Sequence, residues 1–450
     1  MSVAALPPEA VGGGRSRWTS IADRLAGWDR WSLFGSVGFA LIGGLAYSLW
    51  LGQTTRFPDE REYLALSKHV ASSGSYSLNG VDPTAFRPPG YGYFLAGLRL
   101  FGTPVAGLRF ANFVCLALMV WGAWWLAHRI AGPIAATLAA PAVALFPLGF
   151  YTAGAFYPQA LGGALVMGGL VALVQIPGAR HPYRLAAAAG LAFGALLVTI
   201  PPLATVLVVG VVWLAFTDRR VRTVLLVLGL AAVIPLSWTA RNLVVLHEPV
   251  LGSTNNGLNL LIGNSADASP RKGVATDTSS YEKAADALGY TDDPAHEVQR
   301  DAYLRDQAIT WITDHPGDAA VLYVGKTLNY FAPYDQLGTA SENSAPQQAL
   351  ATLVYLPLLG LFVLRLVRWR RERPGETERL LIYIYLLTAP FQALFVTRVR
   401  YRVPLEPLLI VVVAALVARW MERRAVARQA IPGTSPAPAA GAGPVLAPAG

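Results

Sequence analysis

Asp59 and Glu60 stand immediately after an apolar run that ends near Leu51, in the string Phe57-Pro58-Asp59-Glu60-Arg61-Glu62-Tyr63. Carboxylates at the edge of a hydrophobic segment are costly unless something uses or pairs them. A carboxylate at that depth suits proton removal from an acceptor hydroxyl while a donor sits in lipid, provided it lies within hydrogen-bond reach. The same string also fits a helix start, with Asp59 as N-cap and an acid three residues on. Both readings stand at this stage.

Basic residues form the second constellation. Arg241 closes an apolar segment in Trp238-Thr239-Ala240-Arg241-Asn242, and Arg398, Arg400 and Arg402 crowd the short string Thr397-Arg398-Val399-Arg400-Tyr401-Arg402 between two others. Guanidinium groups match phosphate oxygens with paired donors, so such a cluster suits a phosphate. Snorkelling to the interface, with an Arg402–Glu406 pair one helical turn apart, accounts for the same residues without a ligand. Lys326, alone between Tyr323 and Tyr330, is a further phosphate candidate or an ordinary surface lysine. Arg87, before Pro88-Pro89-Gly90-Tyr91, either faces the same pocket or fixes the turn, and His69 is either a pocket residue or a structural histidine.

The elements that must position these groups are membrane helices. The chain has 450 residues, 54% hydrophobic and 14% charged, with mean hydropathy +0.42. A soluble domain carries roughly 25% charged residues. Ten apolar segments are read as spans: 33–51, 105–127, 133–150, 156–176, 185–200, 203–216, 222–238, 347–364, 380–396 and 403–417. The sixth is short, and Pro201-Pro202 leaves open that it continues the fifth. The first is read as an anchor rather than a cleaved leader, being long for a leader and lacking a small-residue cleavage site.

Net charge is +9, with Arg supplying all but four of the 36 basic residues. Loops expected on one side carry Arg129, Arg180, Arg184, Arg219, Arg220, Arg365, Arg368, Arg370 and Arg371, while the short loops on the other, near Tyr151–Ala155 and Pro201-Pro202, carry none; the three arginines of the 398–402 turn run against that trend. By the positive-inside rule both termini are cytoplasmic. The domain reading follows: residues 1–32 a cytoplasmic segment, 33–420 the transmembrane domain with outer loops 52–103 and 241–346, and 421–450 a disordered cytoplasmic tail. Within the loops, residues 60–73, 294–313 and 318–331 read as helices, and 91–101 as an interfacial segment.

Cys115 is the lone cysteine, inside an apolar segment, and the six His lack metal-ligand spacing. Apart from Arg109, Arg222 and Glu406 near their ends, the spans carry no charge. Ion-coupled transport places ionisable groups near mid-membrane, so the runner-up reading, a carrier or flippase for lipid-linked saccharides, is disfavoured. No nucleic-acid partner is expected.

Pro58-Asp59-Glu60 with Tyr63-Leu64-Ala65, then Phe86-Arg87-Pro88-Pro89-Gly90-Tyr91, resembles the first outer loop of GT-C membrane glycosyltransferases, nearest to their family 39-like branch. Arg241-Asn242, Gly257 through Gly263-Asn264, and Arg400-Tyr401 followed by Pro404 and Pro407 are similar to later segments of that group. The resemblance implies an all-α polytopic fold with juxtamembrane helices in its outer loops. It also implies a polyprenyl-phosphate sugar donor, an envelope lipid, glycan or protein acceptor, and inverting transfer on the outer face of a bacterial inner membrane. By carry-over, Asp59 matches the catalytic carboxylate and Glu60 its acidic neighbour. Arg241 and Arg400 match basic positions expected near the donor phosphate, and Lys326 and Arg87 match more loosely. Arg398 is read as a further donor-phosphate candidate, and Arg87, Tyr91, His69, Asn264 and Tyr401 as acceptor or pocket candidates. No cofactor beyond the donor substrate is implied; a divalent metal is left open.

Overall fold

A computed structural model describes residues 17–335 and 344–429. Among the described residues the regular structure is helical, with one isolated bridge between Ser77 and Pro83. The chain opens with α1 (Arg17–Gly27) and α2 (Asp29–Leu51), then α3 (Pro58–Ser73) and α4 (Pro89–Arg99). The bundle continues through α5 (Val105–Ala144), α6 (Pro147–Ala153), α7 (Gln159–Leu173), α8 (Pro182–Thr199), α9 (Ala204–Thr217) and α10 (Val221–Val245). A polar excursion holds α11 (Asn256–Gly263), α12 (Ser279–Ala287), α13 (Glu297–Asp314) and α14 (Pro316–Asn329). The chain returns through α15 (Ala345–Val367), α16 (Glu376–Gln392), the single turn α17 (Val399–Arg402) and α18 (Glu406–Gln429).

Each apolar segment read as a span is largely helical, and among the described residues six helices are long and apolar enough to cross a bilayer. The segments 105–127 and 133–150 share α5, which breaks at Ala131 and Gly132 before Pro133 restarts the helix. Gly132 has φ 71°, a backbone region that side chains other than glycine's rarely enter. Pro201-Pro202 forms a 3-10 turn, so α8 and α9 are separate helices. The boundary at 421 also moves, because α18 runs unbroken to Gln429. The tail beyond that helix and the start of the 1–32 segment lie outside the described residues.

Helix α18 packs against α5 at the centre, and its apolar window is 83% buried, whereas that of α15 is 17% buried. Exposed Trp31, Phe34, Ile42, Leu49 and Trp50 on α2 and Leu353, Val363 and Val367 on α15 form an apolar exterior. Only a hydrocarbon solvent makes such a surface favourable for helices whose backbone is already satisfied. Small residues allow close approach inside: a Cβ on Gly190 or Gly194 of α8 would sit 2.8 Å or 2.9 Å from a carbonyl of α10. This is small-residue packing, the main route to tight helix contact in lipid.

Candidate active site

Helix α3 begins two residues earlier than Asp59 capping requires. Phe57 is the N-cap and Pro58 occupies N1, where its missing N–H costs nothing. Glu60 therefore falls at N3 and accepts hydrogen bonds from the backbone N–H of Arg56 (2.8 Å) and Phe57 (3.2 Å). Its other oxygen accepts from Phe156 N–H at 2.9 Å, with Arg109 3.7 Å away, and the side chain is fully buried. The capping expected of Asp59 belongs to Glu60, whose oxygens are spent on backbone.

That leaves Asp59 at N2 with its carboxylate free for other partners. Arg87 Nη2 donates to one oxygen at 2.8 Å and Arg400 Nη2 to the other at 3.1 Å. Burial pushes the Asp59 carboxyl up, but Arg87 and Arg400 pull harder, so it lies below the ordinary carboxylate value. Arg87 is itself held by Glu62, to which its Nε donates at 2.5 Å. The two anions keep its guanidinium charged, raising its pKa against the opposing effect of burial. Glu62, one of the residues sequence reasoning passed over, thus fixes the clamp from behind.

Arg400 joins this carboxylate to a cavity of about 370 Å³ between α15, the start of α6 and the 398–402 turn. Its guanidinium lies 4.5 Å from the centre of the Tyr157 ring, and Nε is buried with no hydrogen-bond partner. Phe57, Tyr151, Tyr157, Val354 and Tyr355 give the cavity apolar and aromatic walls, and Arg398 contributes a second guanidinium. Asp335 lies 3.9 Å from Arg398 and accepts the Val399 N–H at 3.0 Å. Burial raises the Asp335 carboxyl, outweighing the pull of Arg398. Arg56 stacks 4.3 Å from the Tyr151 ring at the same edge, with Nε and Nη2 buried and unpartnered. Asp335 and Arg56 were not among the sequence candidates; Arg56 carries a visible signal, a cation directly before Phe57-Pro58 at the end of an apolar run.

On the other side of the turn, Tyr401 lines a larger, more polar cavity of about 810 Å³, which also meets Asn256, Asn259, Gln299, Asp301 and Arg305.

The remaining candidates lie elsewhere. Arg241 donates to the carbonyls of Thr84 (3.0 Å) and Tyr76 (3.3 Å), tying α10 to the 75–87 loop rather than facing Asp59. Glu297 reinforces the same loop, accepting from Thr84 Oγ1 and Ala85 N–H. Lys326 is buried and donates to Gly263 O (2.8 Å), Phe395 O (2.8 Å) and Asn264 Oδ1 (3.0 Å). All three of its protons are committed, and burial lowers it to about 8. Asn264 completes that knot by donating to Leu260 O and Leu394 O. A Cβ on Gly263 would sit 2.1 Å from Phe395 O, so glycine is what permits the knot. Arg402 pairs with Glu406, donates to Tyr330 O and Ala332 O, and lies 3.8 Å from the Tyr355 ring centre. His69 Nδ1 meets Ser77 O at 2.8 Å, and Tyr91 is buried with its hydroxyl on Asn112 Oδ1. These contacts tie loops and helices together away from Asp59, and Arg241 also lines a separate cavity of about 570 Å³ with Tyr93 and Trp238. Among the described residues no three His, Cys, Asp or Glu side chains gather as they would around a metal ion.

No family model and no curated protein matches the chain. Solved structures do. The oligosaccharyltransferase of Archaeoglobus fulgidus in its apo form superposes with TM-score 0.53 at 13% identity, over 89% of this chain and 51% of that one. The archaeal oligosaccharyltransferase AglB from the same organism, in complex with an inhibitory peptide and a dolichol-phosphate, gives TM-score 0.51 at 12% identity over the same shares. ArnT from Cupriavidus metallidurans bound to undecaprenyl phosphate matches at 17% identity over 90% of this chain and 80% of that one; its TM-score of 0.40 is too loose to bear on the fold. The chain thus shares the helical fold of these oligosaccharyltransferase structures, and spans about half their length.

Proposed function

We propose that this chain is a polyprenyl-phosphate-sugar-dependent glycosyltransferase of a bacterial inner membrane, acting on the outer face with inversion at the anomeric carbon. The observation that carries the reading is Arg400: one guanidinium touches Asp59 and also lines an apolar cavity with a spare donor. A lipid phosphate leaving the sugar gains negative charge, and a pre-placed guanidinium in a water-poor cavity stabilises that charge as it develops. The apolar walls of the 370 Å³ cavity take the first isoprene units. Asp59, kept ionised by Arg87 and Arg400, accepts the proton of the acceptor hydroxyl as that oxygen attacks the sugar from the face opposite the phosphate. Arg398 is a second phosphate partner once it exchanges its contact with Asp335 for the ligand. The polar cavity beside Tyr401 receives the acceptor, an envelope lipid, glycan or protein.

In this reading the ten helical segments cross the membrane with both termini inside, and the 52–103 and 241–346 segments face outward. A chain with this fold has been solved with a dolichol-phosphate, which agrees with a lipid-phosphate donor.

The decisive experiment uses the purified chain in nanodiscs with a panel of radiolabelled undecaprenyl-phosphate sugars and a membrane-envelope acceptor extract. Asp59→Asn is expected to lower transfer by roughly 10²–10⁴-fold while donor binding persists. Unchanged turnover in a folded Asp59→Asn protein overturns the assignment.

A further inference from the structure

At the far end of α15 from the candidate active site, a second charged cavity has no part in the proposed chemistry. It measures about 440 Å³ and is lined by Arg368, Arg371, Glu372, Trp420, Arg423 and Arg424. Its one carboxylate, Glu372, pairs through Oε1 with Arg423 Nη1 at 2.8 Å, while its Oε2 is buried without a hydrogen-bond partner. Arg424 stacks 5.3 Å from the Trp420 ring centre, and neither Arg368 nor Arg371 makes an ion pair among the described residues. Four guanidiniums therefore share one concavity with a single carboxylate, and positive charge is in excess there.

An ion-pair knot cross-links the helix ends that carry the cavity. Glu378 is fully buried and accepts from Arg365 Nε at 2.7 Å and Arg419 Nη2 at 2.6 Å, locking the ends of α15, α16 and α18 together. The arginines above it project from fixed helix ends, which lowers the ordering cost of gripping a ligand. The adjoining wall is apolar and exposed: Val363, Leu364 and Val367 on α15 and Val426 on α18. From Ala351, which lines the candidate active-site cavity, to Arg368 is a rise of roughly 25 Å at 1.5 Å per residue. That is close to the roughly 30 Å hydrocarbon thickness of a bilayer, so the two cavities lie at opposite membrane surfaces.

We propose that this basic cavity is a binding site for the phosphate of an anionic phospholipid, with the acyl chains lying along the exposed face of α15. A guanidinium cluster selects phosphate through paired N–H donors. Basic pockets between helix ends recognise acidic headgroups where a neutral or zwitterionic lipid gains nothing. Trp420 belongs at such an interface, its ring in the headgroup layer and against Arg424. The apolar wall decides for a lipid over a soluble phosphate, because it gives the chains somewhere to lie. The assignment is independent of the proposed transfer reaction.

Native mass spectrometry of the purified full chain, offered equal phosphatidylglycerol and phosphatidylcholine of matched chain length, tests it. The wild type retains phosphatidylglycerol several-fold over phosphatidylcholine, and 10 mM inorganic phosphate does not displace it. The triple variant Arg368→Ala, Arg371→Ala, Arg424→Ala brings that ratio to about one. A control removing equal charge elsewhere, Arg180→Ala, Arg184→Ala, Arg219→Ala, keeps the wild-type ratio. Should the triple variant fold poorly, thermal unfolding of the wild type alone decides: phosphatidylglycerol raises the midpoint by several degrees more than phosphatidylcholine. Equal retention of the two lipids by the wild type, the same loss in the control, or displacement by inorganic phosphate each overturns the proposal.

Discussion

Two sets of charges in this chain look alike in composition and differ in what their last hydrogen bonds touch. In one set, Glu60 with Arg109, Arg402 with Glu406, and Lys326 with Asn264 are sealed in the interior and bonded largely to backbone. In the other, Asp59, Arg87 and Arg400 are partly open, bond side chain to side chain, and leave a donor unspent beside a cavity. A buried charge whose partners are carbonyls cannot release them without leaving unpaired polar groups in the core. A charge held by other side chains can trade a partner for a ligand. The proposed function places chemistry with the second set and architecture with the first.

Neighbouring acids give the largest effect by which to break this contrast. Asp59→Asn should cost about 10²–10⁴-fold in transfer with thermal stability nearly unchanged. Glu60→Gln should lower unfolding free energy by about 3 kcal/mol, while activity per folded molecule falls far less. Equal behaviour of the two variants would sink the distinction. Next come Arg400 and Arg402. Arg400→Ala should weaken donor binding by about 10–100-fold, since a charge-assisted bond contributes about 1.5–3 kcal/mol. Arg402→Ala should instead destabilise the protein by about 3–5 kcal/mol, leaving Glu406 buried and unpaired.

Lys326→Met is a smaller test, expected to cost about 2 kcal/mol of stability as buried acceptors lose their donor, with donor affinity in the folded fraction unaltered. The smallest effect is a pH shift. Asp59 is depressed by its arginines, so its charge is present above the ordinary carboxylate range and is lost only as pH falls through its lowered value. The acid limb of kcat/KM should therefore lie below that range. Removing one cation with Arg87→Ala should move the limb upward, and an unmoved limb would separate Asp59 from the proton transfer.

Much of the fold was legible because long apolar runs have one economical solution in lipid. The break in α5 was legible too: the gap between the 105–127 and 133–150 segments falls where Gly132 turns left-handed. What sequence could not deliver was the partner of each charge. Asp59 and Glu60 are adjacent acids, and only the start of α3 at Pro58 decides which of them caps; proline's preference for N1 was the available clue. Arg241 and Lys326 read as phosphate ligands because cations at membrane edges are rare, yet both spend their donors on main-chain carbonyls. A carbonyl contributed by a distant loop has no signature in the residue string. Arg87 and Arg400 were within reach because their partner is itself a charged side chain.

Helix α17 is one turn long, and its successive side chains have different destinations: Arg400 to Asp59, Tyr401 to the polar cavity, Arg402 into the core. A residue inserted into or removed from the turn itself rotates the side chains that follow it by about 100°. Substitution around Val399–Arg402 can thus be absorbed one side chain at a time, whereas a single insertion or deletion reassigns all three at once. The register of Arg400, Tyr401 and Arg402 within that turn is therefore as much a part of the site as any residue in it.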